Sequence, residues 1–271
     1  MNNPLFSILT VSYNSVETIE KTILSVLDQS FRDYEYIIID GGSNDGTIDV
    51  IKKYEHDISY WISEYDEGIY DAMNKGIKKC KGEYIGIINS DDQYLPGSFE
   101  HVQKAINQNP DCHVIYGDMI YDMPGRTNII IKSIHNIKRR HFYCMPILHP
   151  TVFVKKECYL KYGLFDTDYR IISDVDLMYR FLSNNVSFCY LDKKISYMNA
   201  SGASESNIDL TLDEHKLFLK RNSYISFYTY IRFNLRKLRF YLLRYLKKRS
   251  TLSFLLDVYH KFIDKIRSLK I

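Results

Sequence analysis

Apolar residues along this chain fall into short continuous runs, separated by stretches where they recur every three or four positions. Continuous β-branched runs suit strands buried on both faces, and the wider spacing suits helices with one buried face. Residues 7–12 form the first such run. Ile19, Ile23, Val26 and Leu27 then mark a helix, with Asn14 or Ser15 placed to cap it and Glu17 and Glu20 in its first turns. Residues 34–39 predict a second strand, which ends at Asp40 and a glycine-rich turn before a helix from about Thr47 (Ile48, Ile51, Tyr54). Residues 58–63 predict a third strand. From Gly68 onward Ile69, Met73, Gly76, Ile77 and Cys80 keep helical spacing, and small Ala72 and Gly76 let this helix lie close to a sheet. Lys78, Lys79 and Lys81 suit its C-terminal end and Gly82 stops it. A fourth apolar run from Tyr84 ends at Asp91 and Asp92. Four strand–helix units in the first hundred residues predict an α/β fold, with a mostly parallel, doubly wound sheet and helices on both faces.

The alternation then loosens. Pro96 and Gly97 start a helix (Phe99, Val102, Ile106) that ends at Asn109-Pro110, and residues 113–116 predict a strand. Residues 118–142 are less regular, with Pro124-Gly125 and a basic cluster at Lys138, Arg139 and Arg140. Further on, 150–154 read as a strand, 155–162 as a short helix and 163–166 as a turn. Ser173 and Asp174 open a helix through Leu177, Met178, Phe181 and Leu182, and 186–191 and 195–198 are strands. These elements predict a second lobe on the same sheet.

Adjacent carboxylates at the end of a buried strand are the first candidate chemistry. The C-terminal edge of an open α/β sheet is where ligands bind. Two neighbouring acids repel each other unless a cation relieves them, and hard divalent ions are held by one or two carboxylates plus substrate phosphates. Asp91 and Asp92 therefore read as a metal–phosphate site, against the alternative of a plain surface turn. The glycine-rich turn at 41–46 lets backbone amides approach a ligand, but it has neither the GxGxxG spacing nor the lysine of a P-loop.

Composition narrows the class. The 271 residues are 45% apolar, enough for a real core. Five cysteines, an odd number with no Cys-x-x-Cys pair, argue against a disulfide framework or zinc knuckle and fit a reducing cytoplasm. The first residues lack the basic region of a signal peptide, and no apolar run approaches the ~20 residues of a membrane span. Net charge is only +3, yet residues 216–271 hold fifteen Lys and Arg against two acids. Such asymmetry predicts an acidic body with a basic tail that meets an anionic partner.

Four stretches carry a resemblance: SILTVSYN (7–14), IDGGSNDGT (39–47), EYIGIINSDD (83–92) and YRIISDVD (169–176). In this order and at these separations they resemble family 2 glycosyltransferases with a GT-A fold, over roughly residues 5–205. The resemblance implies an inverting glycosyltransferase, a hexosyl- or N-acetylhexosaminyl-transferase, that uses a nucleotide-diphosphate sugar and Mn²⁺ or Mg²⁺. It implies that Ser12 and Tyr13 lie against the base and that Asp40 accepts a hydrogen bond from the base imide, which favours a UDP-sugar. Asp91 matches the ribose-side position and Asp92 the metal ligand. Asp66 and Lys75 fall in the segment that lines the nucleotide, although Lys75 also reads as a solvated helix lysine. Asp174 matches the catalytic base, with Ser173 where the family more often has Glu, and Asp176 is its rival. His149 matches a position that touches the metal or diphosphate, and equally reads as a polar residue before a strand. Gly202-Ala203-Ser204 resembles a late loop that closes over donor or acceptor.

The implied organisation is a catalytic domain over 1–215, with a nucleotide half of about 1–117 and an acceptor half of about 118–215, and a basic helical extension over 216–271. From Tyr224 to Lys248 the apolar Ile231, Leu235, Leu238, Leu242 and Tyr245 step by four and three, with Arg232, Arg236 and Arg239 beside them. A second amphipathic candidate covers 252–269. Residues 224–271 read as attachment to an anionic membrane surface, as helices packed on the body, or as a homodimer interface. No nucleic-acid reader module is present, so nucleic acid is not an expected partner. The expected acceptor is a saccharide or polyprenyl-linked saccharide in surface-polysaccharide synthesis, at the inner face of the cell membrane. Two rivals are a metal-dependent nucleotidyltransferase and a non-catalytic sugar-nucleotide-binding or adaptor protein.

Overall fold

The computed structural model describes residues 3–122, 128–142, 144–199, 207–222 and 227–248. The chain divides into two compact units, Met1–Asn207 and Ile208–Ile271. The expected boundary at 215 falls instead inside a helix, Ile208–Arg221.

The first unit is built on β1 (Phe6–Ser12), α1 (Ile19–Leu27), β2 (Tyr34–Asp40), α2 (Thr47–Lys53), β3 (Tyr60–Ser63), α3 (Ile69–Lys79) and β4 (Tyr84–Asn89). It continues with β5 (Gln93–Tyr94), α4 (Ser98–Gln108), β6 (Val114–Asp122), β7 (Ile129–Ile131), β8 (Phe153–Lys155), α5 (Lys156–Tyr162), α6 (Ser173–Ser183) and β9 (Phe188–Asn199). These nine strands form one sheet in the order β3-β2-β1-β4-β8-β6-β9-β5, with β7 paired to β6. β1 pairs in parallel with β2 and β4, and β2 with β3. β8 runs antiparallel between β4 and β6, which restores β6 and its parallel partner β9 to the direction of β1. The short β5 and β7 run the other way. The sheet is thus mostly parallel, as the apolar runs predicted, and the later strands β6, β8 and β9 do join it.

Local chemistry explains the core. Every residue of β1 is buried, because β2 and β4 flank it and helices cover its faces. Such a strand reads as a continuous apolar run. The helix α3 lies close because Gly76 has no side chain: a Cβ there would stand 2.3 Å from Leu9 Cδ1. Phe6, Tyr94, Phe99 and Phe153 fill the space beneath β1 and β4, with Phe6 and Phe153 ring centroids 5.4 Å apart and Tyr94 and Phe99 5.1 Å apart.

Several local expectations change. The predicted pair 186–191 and 195–198 is one strand, β9, whose bulges against β6 near Tyr116–Met119 hide its continuity. Residues 149–151 form a 3-10 turn before β8, where Pro150 removes a ladder donor. The irregular stretch after 118 contains the end of β6 and β7. Neither Asn14 nor Ser15 caps α1, whose N-cap is Thr18. Asn14 is used elsewhere: its backbone donates to Ser43 Oγ at 2.7 Å and its Oδ1 accepts from Asn44 N at 3.0 Å. Ser15 donates from its backbone to Thr47 Oγ1 at 2.8 Å. Finally, Cys112 and Cys189 form a disulfide, contrary to the reading of an all-reduced chain. They are 77 positions apart, but the pairing of Ile115 with Cys189 on β6 and β9 brings their Cα atoms to 6.2 Å. Cys80, Cys144 and Cys158 remain thiols.

In the second unit, α7 (Ile208–Arg221) and α8 (Phe227–Lys248) are helical. The α8 stripe of Ile231, Leu235, Leu238 and Leu242 is exposed. Pro124-Gly125, Gly202-Ala203-Ser204 and the candidate helix at 252–269 lie outside the described residues. No helix among the described residues is long and apolar enough to cross a membrane.

Candidate active site

A cavity of about 1150 Å³ opens at the C-terminal ends of β1 and β4 and is bounded on its far side by α3 and the start of α6. Its lining includes Ser12, Tyr13, Asp66, Asn89, Asp91, Asp92, His149, Arg170 and Asp174. Residues scattered over more than 160 positions meet because parallel strands deliver their C-terminal ends to one edge.

Ser12 ends β1 and is buried, with an Oγ that has no hydrogen-bond partner among the described residues. Tyr13 follows it and is 63% exposed, so its ring is free to cover a flat ligand. The β1 and β4 ends are tied by Ser15 Oγ and Ser90 Oγ, 2.7 Å apart.

Asp40 does not line this cavity. It is fully buried, and its carboxylate holds the glycine-rich turn together. Oδ2 accepts from Gly42 N at 3.1 Å, Ser43 N at 2.8 Å and Ser63 Oγ at 2.6 Å, and Oδ1 accepts from Ser43 Oγ at 2.5 Å. Asp66 does face the cavity over this turn, as does Asp45 within it, and Asp66 Oδ2 would stand 2.3 Å from a Cβ at Gly41. Gly41 therefore makes room for Asp66. Burial pushes the Asp66 carboxyl up, partly offset by the Gly68 amide and by Lys75. Lys75 itself stands outside the lining. It donates to the Tyr65 carbonyl at 2.7 Å and pairs with Glu64 at 3.2 Å and Asp71 at 3.4 Å, so it braces the Asp66 loop.

Asp91 and Asp92 differ sharply. Burial raises the Asp91 carboxyl above its ordinary range. Asp92 is fully buried, and burial followed by the charge of Asp91 holds its pKa well above the ordinary value. No donor reaches either Asp92 oxygen at hydrogen-bond distance among the described residues. The Asn199 backbone and the Asn89 side chain only offset part of the shift. The Asn89 Oδ1 is likewise buried without a partner. Buried, unpaired oxygens at a cavity wall are costly unless a cation meets them. This donor set suits a hard divalent ion held by few protein oxygens and completed by ligand phosphates. No group of three or more His, Cys, Asp or Glu side chains among the described residues forms a cage of its own.

Across the cavity, α6 carries both rivals for a base. Asp176 accepts from Arg180 Nε at 2.8 Å, and the same guanidinium donates to the Tyr162 and Leu164 carbonyls at 2.7 and 2.6 Å. Asp176 thus fixes an arginine brace and lies outside the lining. Asp174 lines it, with Oδ1 accepting from Val175 N at 2.8 Å and from the Tyr70 hydroxyl at 3.3 Å. Burial raises the Asp174 carboxyl, offset first by His149. His149 is pushed down by burial and up by Asp174. Asp174 is thus a charged neighbour of His149 across the cavity wall. Sequence patterns did not single out Tyr70, Asn89 or Arg170; an aromatic in the first turn of α3 looks like ordinary core, and only the fold turns it towards α6.

The family model described as Glycosyl transferase family 2 matches residues 7–159. An uncharacterised glycosyltransferase of Rickettsia typhi is 30% identical over 202 residues, which cover 71% of this chain and 63% of that protein. The chain thus spans less than two thirds of that relative. A PGL/p-HBAD biosynthesis glycosyltransferase of Mycobacterium bovis is 27% identical over 227 residues, 82% of this chain and 85% of that protein. Among solved structures, S. aureus TarS 1-349 superposes with a TM-score of 0.61 at 19% identity, covering 79% of this chain and 65% of that one. The mannosyltransferase PcManGT of Pyrobaculum calidifontis, in complex with GDP-Man and Mn²⁺, gives 0.59 at 13% identity, covering 83% and 66%. These likenesses support the GT-A arrangement expected from the sequence.

Proposed function

The chain belongs to glycosyl transferase family 2, and from that premise we propose that it moves a sugar from a nucleoside-diphosphate donor to a saccharide or lipid-linked saccharide acceptor, with inversion at the transferred carbon. The observation that carries this reading is the cavity that Asp92, with no hydrogen-bond donor on its oxygens among the described residues, shares with Asp174, a half-buried carboxyl opposite it. The donor is a UDP-sugar. Solved neighbours were crystallised with UDP, UDP-GlcNAc or GDP-Man, which supports nucleotide sugars as a class.

Within the first unit, residues of about 1–117 hold the nucleotide and the elements after 117 face the acceptor. Tyr13 covers the base and Ser12 offers its hydroxyl. Asp66 takes the imide N–H, since the carboxylate of Asp40 is spent within the turn. Asp91 serves the ribose side, and Asp92 with Asn89 Oδ1 would hold Mn²⁺ or Mg²⁺. A divalent ion supplies charge compensation to a departing diphosphate. Asp174 takes the proton of the acceptor hydroxyl as that oxygen attacks the anomeric carbon. Attack comes from the face opposite the nucleotide, so one carboxylate suffices. The neighbouring pair at 91–92 cannot flank a scissile bond from two sides as glycosidase acids do.

The basic residues and exposed leucines of α8 suit peripheral attachment to an anionic membrane at its cytoplasmic face, where each cation contributes about 1 kcal/mol. The test of the whole reading is nucleotide-sugar binding followed in a thermal-shift screen with Mn²⁺. A UDP-sugar that stabilises the wild type and not Asp92→Asn supports it, and equal stabilisation of both removes the metal assignment.

A further inference from the structure

Tyr70 stands where the two halves of the cavity meet. It lies in the first turn of α3, in the half read as holding the donor, and is buried with only 7% of its surface exposed. Its hydroxyl donates to the Ile171 carbonyl at 2.6 Å and approaches Asp174 Oδ1 at 3.3 Å. The short bond fixes where the oxygen sits, and the longer one steers the carboxylate. The ring is fixed as well. It stacks on Phe165 with centroids 5.3 Å apart and planes 24° from parallel. Phe165 is in turn clamped to α3 one helical turn further along. Asn74 Nδ2 donates to the Phe165 carbonyl at 2.9 Å, and Phe165 N donates to Asn74 Oδ1 at 3.0 Å. This amide pair is buried, so breaking it exposes nothing to water in compensation.

We propose that Tyr70 is a positioning residue for Asp174: its hydroxyl, held by Ile171 and by a ring stacked on the Asn74-clamped Phe165, sets the direction in which the base faces the acceptor. The inference rests on the reading of Asp174 as the base. Val175 N already holds Oδ1 at 2.8 Å from one side, and Tyr70 approaches the same oxygen from another. The one Tyr70 proton is shared unequally between the Ile171 carbonyl and Oδ1, and with Val175 N on the same oxygen this leaves Oδ2 as the atom that faces the acceptor hydroxyl. The arrangement also links donor and acceptor. The helix α3 starts three residues after Asp66, whose Oδ1 accepts from Gly68 N at the helix N-cap, so one helix carries both the acid proposed over the nucleobase and the hydroxyl beside Asp174.

The variant Tyr70→Phe keeps the ring and its stack and removes only the hydroxyl. Single-turnover and steady-state release of nucleoside diphosphate is measured with Mn²⁺ and UDP-GlcNAc, UDP-glucose, UDP-galactose or GDP-mannose, water serving as acceptor. The donor that the wild type cleaves fastest is then used for all variants. Tyr70→Phe is expected to lower kcat about tenfold, a fraction of the 10²–10⁴ that a general base supplies, with the donor Kd unchanged. Tyr70→Leu, which also loses the ring, is expected to fall further and to lower the melting temperature. Asp174→Asn is run beside them. A Tyr70→Phe enzyme that keeps full kcat while Asp174→Asn loses it overturns the positioning role and leaves the base in place. An Asp174→Asn enzyme that retains its rate, or a wild type that cleaves none of the four donors, overturns the functional reading on which the inference rests. A Tyr70→Phe loss that appears equally in donor Kd assigns the residue to donor binding and also overturns it.

Discussion

Arg180 donates from Nε to Asp176 at 2.8 Å, one turn along the same helix, while Asp174, two residues earlier, faces the cavity and forms no lysine or arginine ion pair among the described residues. This contrast separates two acids that the sequence left as rivals. Asp174→Asn is expected to reduce transfer by about 10²–10⁴ with donor affinity retained, whereas Asp176→Asn is expected to lower stability by roughly 1–3 kcal/mol by taking the charge from the acceptor of Arg180 Nε, while the guanidinium keeps its two carbonyls. Kinetics on the first variant and denaturant melts on the second check the pair.

The pH profile follows from the same carboxyl. Burial raises the Asp174 pKa, and a base works only when ionised. Activity should therefore fall as pH drops through a midpoint above the ordinary carboxylate range. His149→Gln removes the group that offsets this shift and is expected to move the midpoint to still higher pH. A midpoint that stays put after His149→Gln would disconnect the two residues.

Asp92 offers a test without turnover. Among the described residues no donor reaches its buried carboxyl at hydrogen-bond distance, and Asn199 and Asn89 offset only part of the cost of charge, so Asp92→Asn is expected to raise stability without added metal, by roughly 1–3 kcal/mol. The same variant should lose the gain that Mn²⁺ gives the wild type. Differential scanning with and without the ion reads both effects.

Asp40 behaves oppositely. Its carboxylate receives four hydrogen bonds within the turn and from β3, and Asp40→Ala strands those donors. A stability loss of about 2–4 kcal/mol is expected, with nucleotide binding lost only as the turn collapses. A fully stable Asp40→Ala protein that fails to bind UDP would restore Asp40 as the base contact.

The Cys112–Cys189 bridge closes a long loop and is expected to contribute about 4 kcal/mol in the chain-entropy model. Thiol titration of the unfolded, unreduced chain should count three thiols, and five would show that the bridge is not formed.

Much of this molecule was legible in its apolar pattern. The run through 7–12 and the stripe at Ile69, Met73, Gly76 and Ile77 led directly to β1 and α3, because burial on one or two faces leaves a simple period. What the pattern hid was long-range. The bulges in β9 come from its pairing with β6, and Cys112 finds Cys189 only through that pairing. In the site, Asp91, Asp92 and Asp174 were readable as acids at element ends. That Asp40 is taken up by the turn amides while Asp66 lines the cavity was not, because it depends on which carboxylate those amides consume. Lys75 and His149 were visible as residues, but their partners, the Tyr65 carbonyl and Asp174, appear only in three dimensions.

The central claim concerns which bond breaks, and the leaving group reports it directly. Phosphorus NMR of the reaction mixture, with Mn²⁺, the preferred nucleotide sugar and an acceptor or water, is predicted to show a nucleoside diphosphate accumulating in step with sugar release, and none with Asp174→Asn. Inorganic pyrophosphate as the product, or an Asp174→Asn enzyme that releases nucleoside diphosphate at the wild-type rate, would contradict the account.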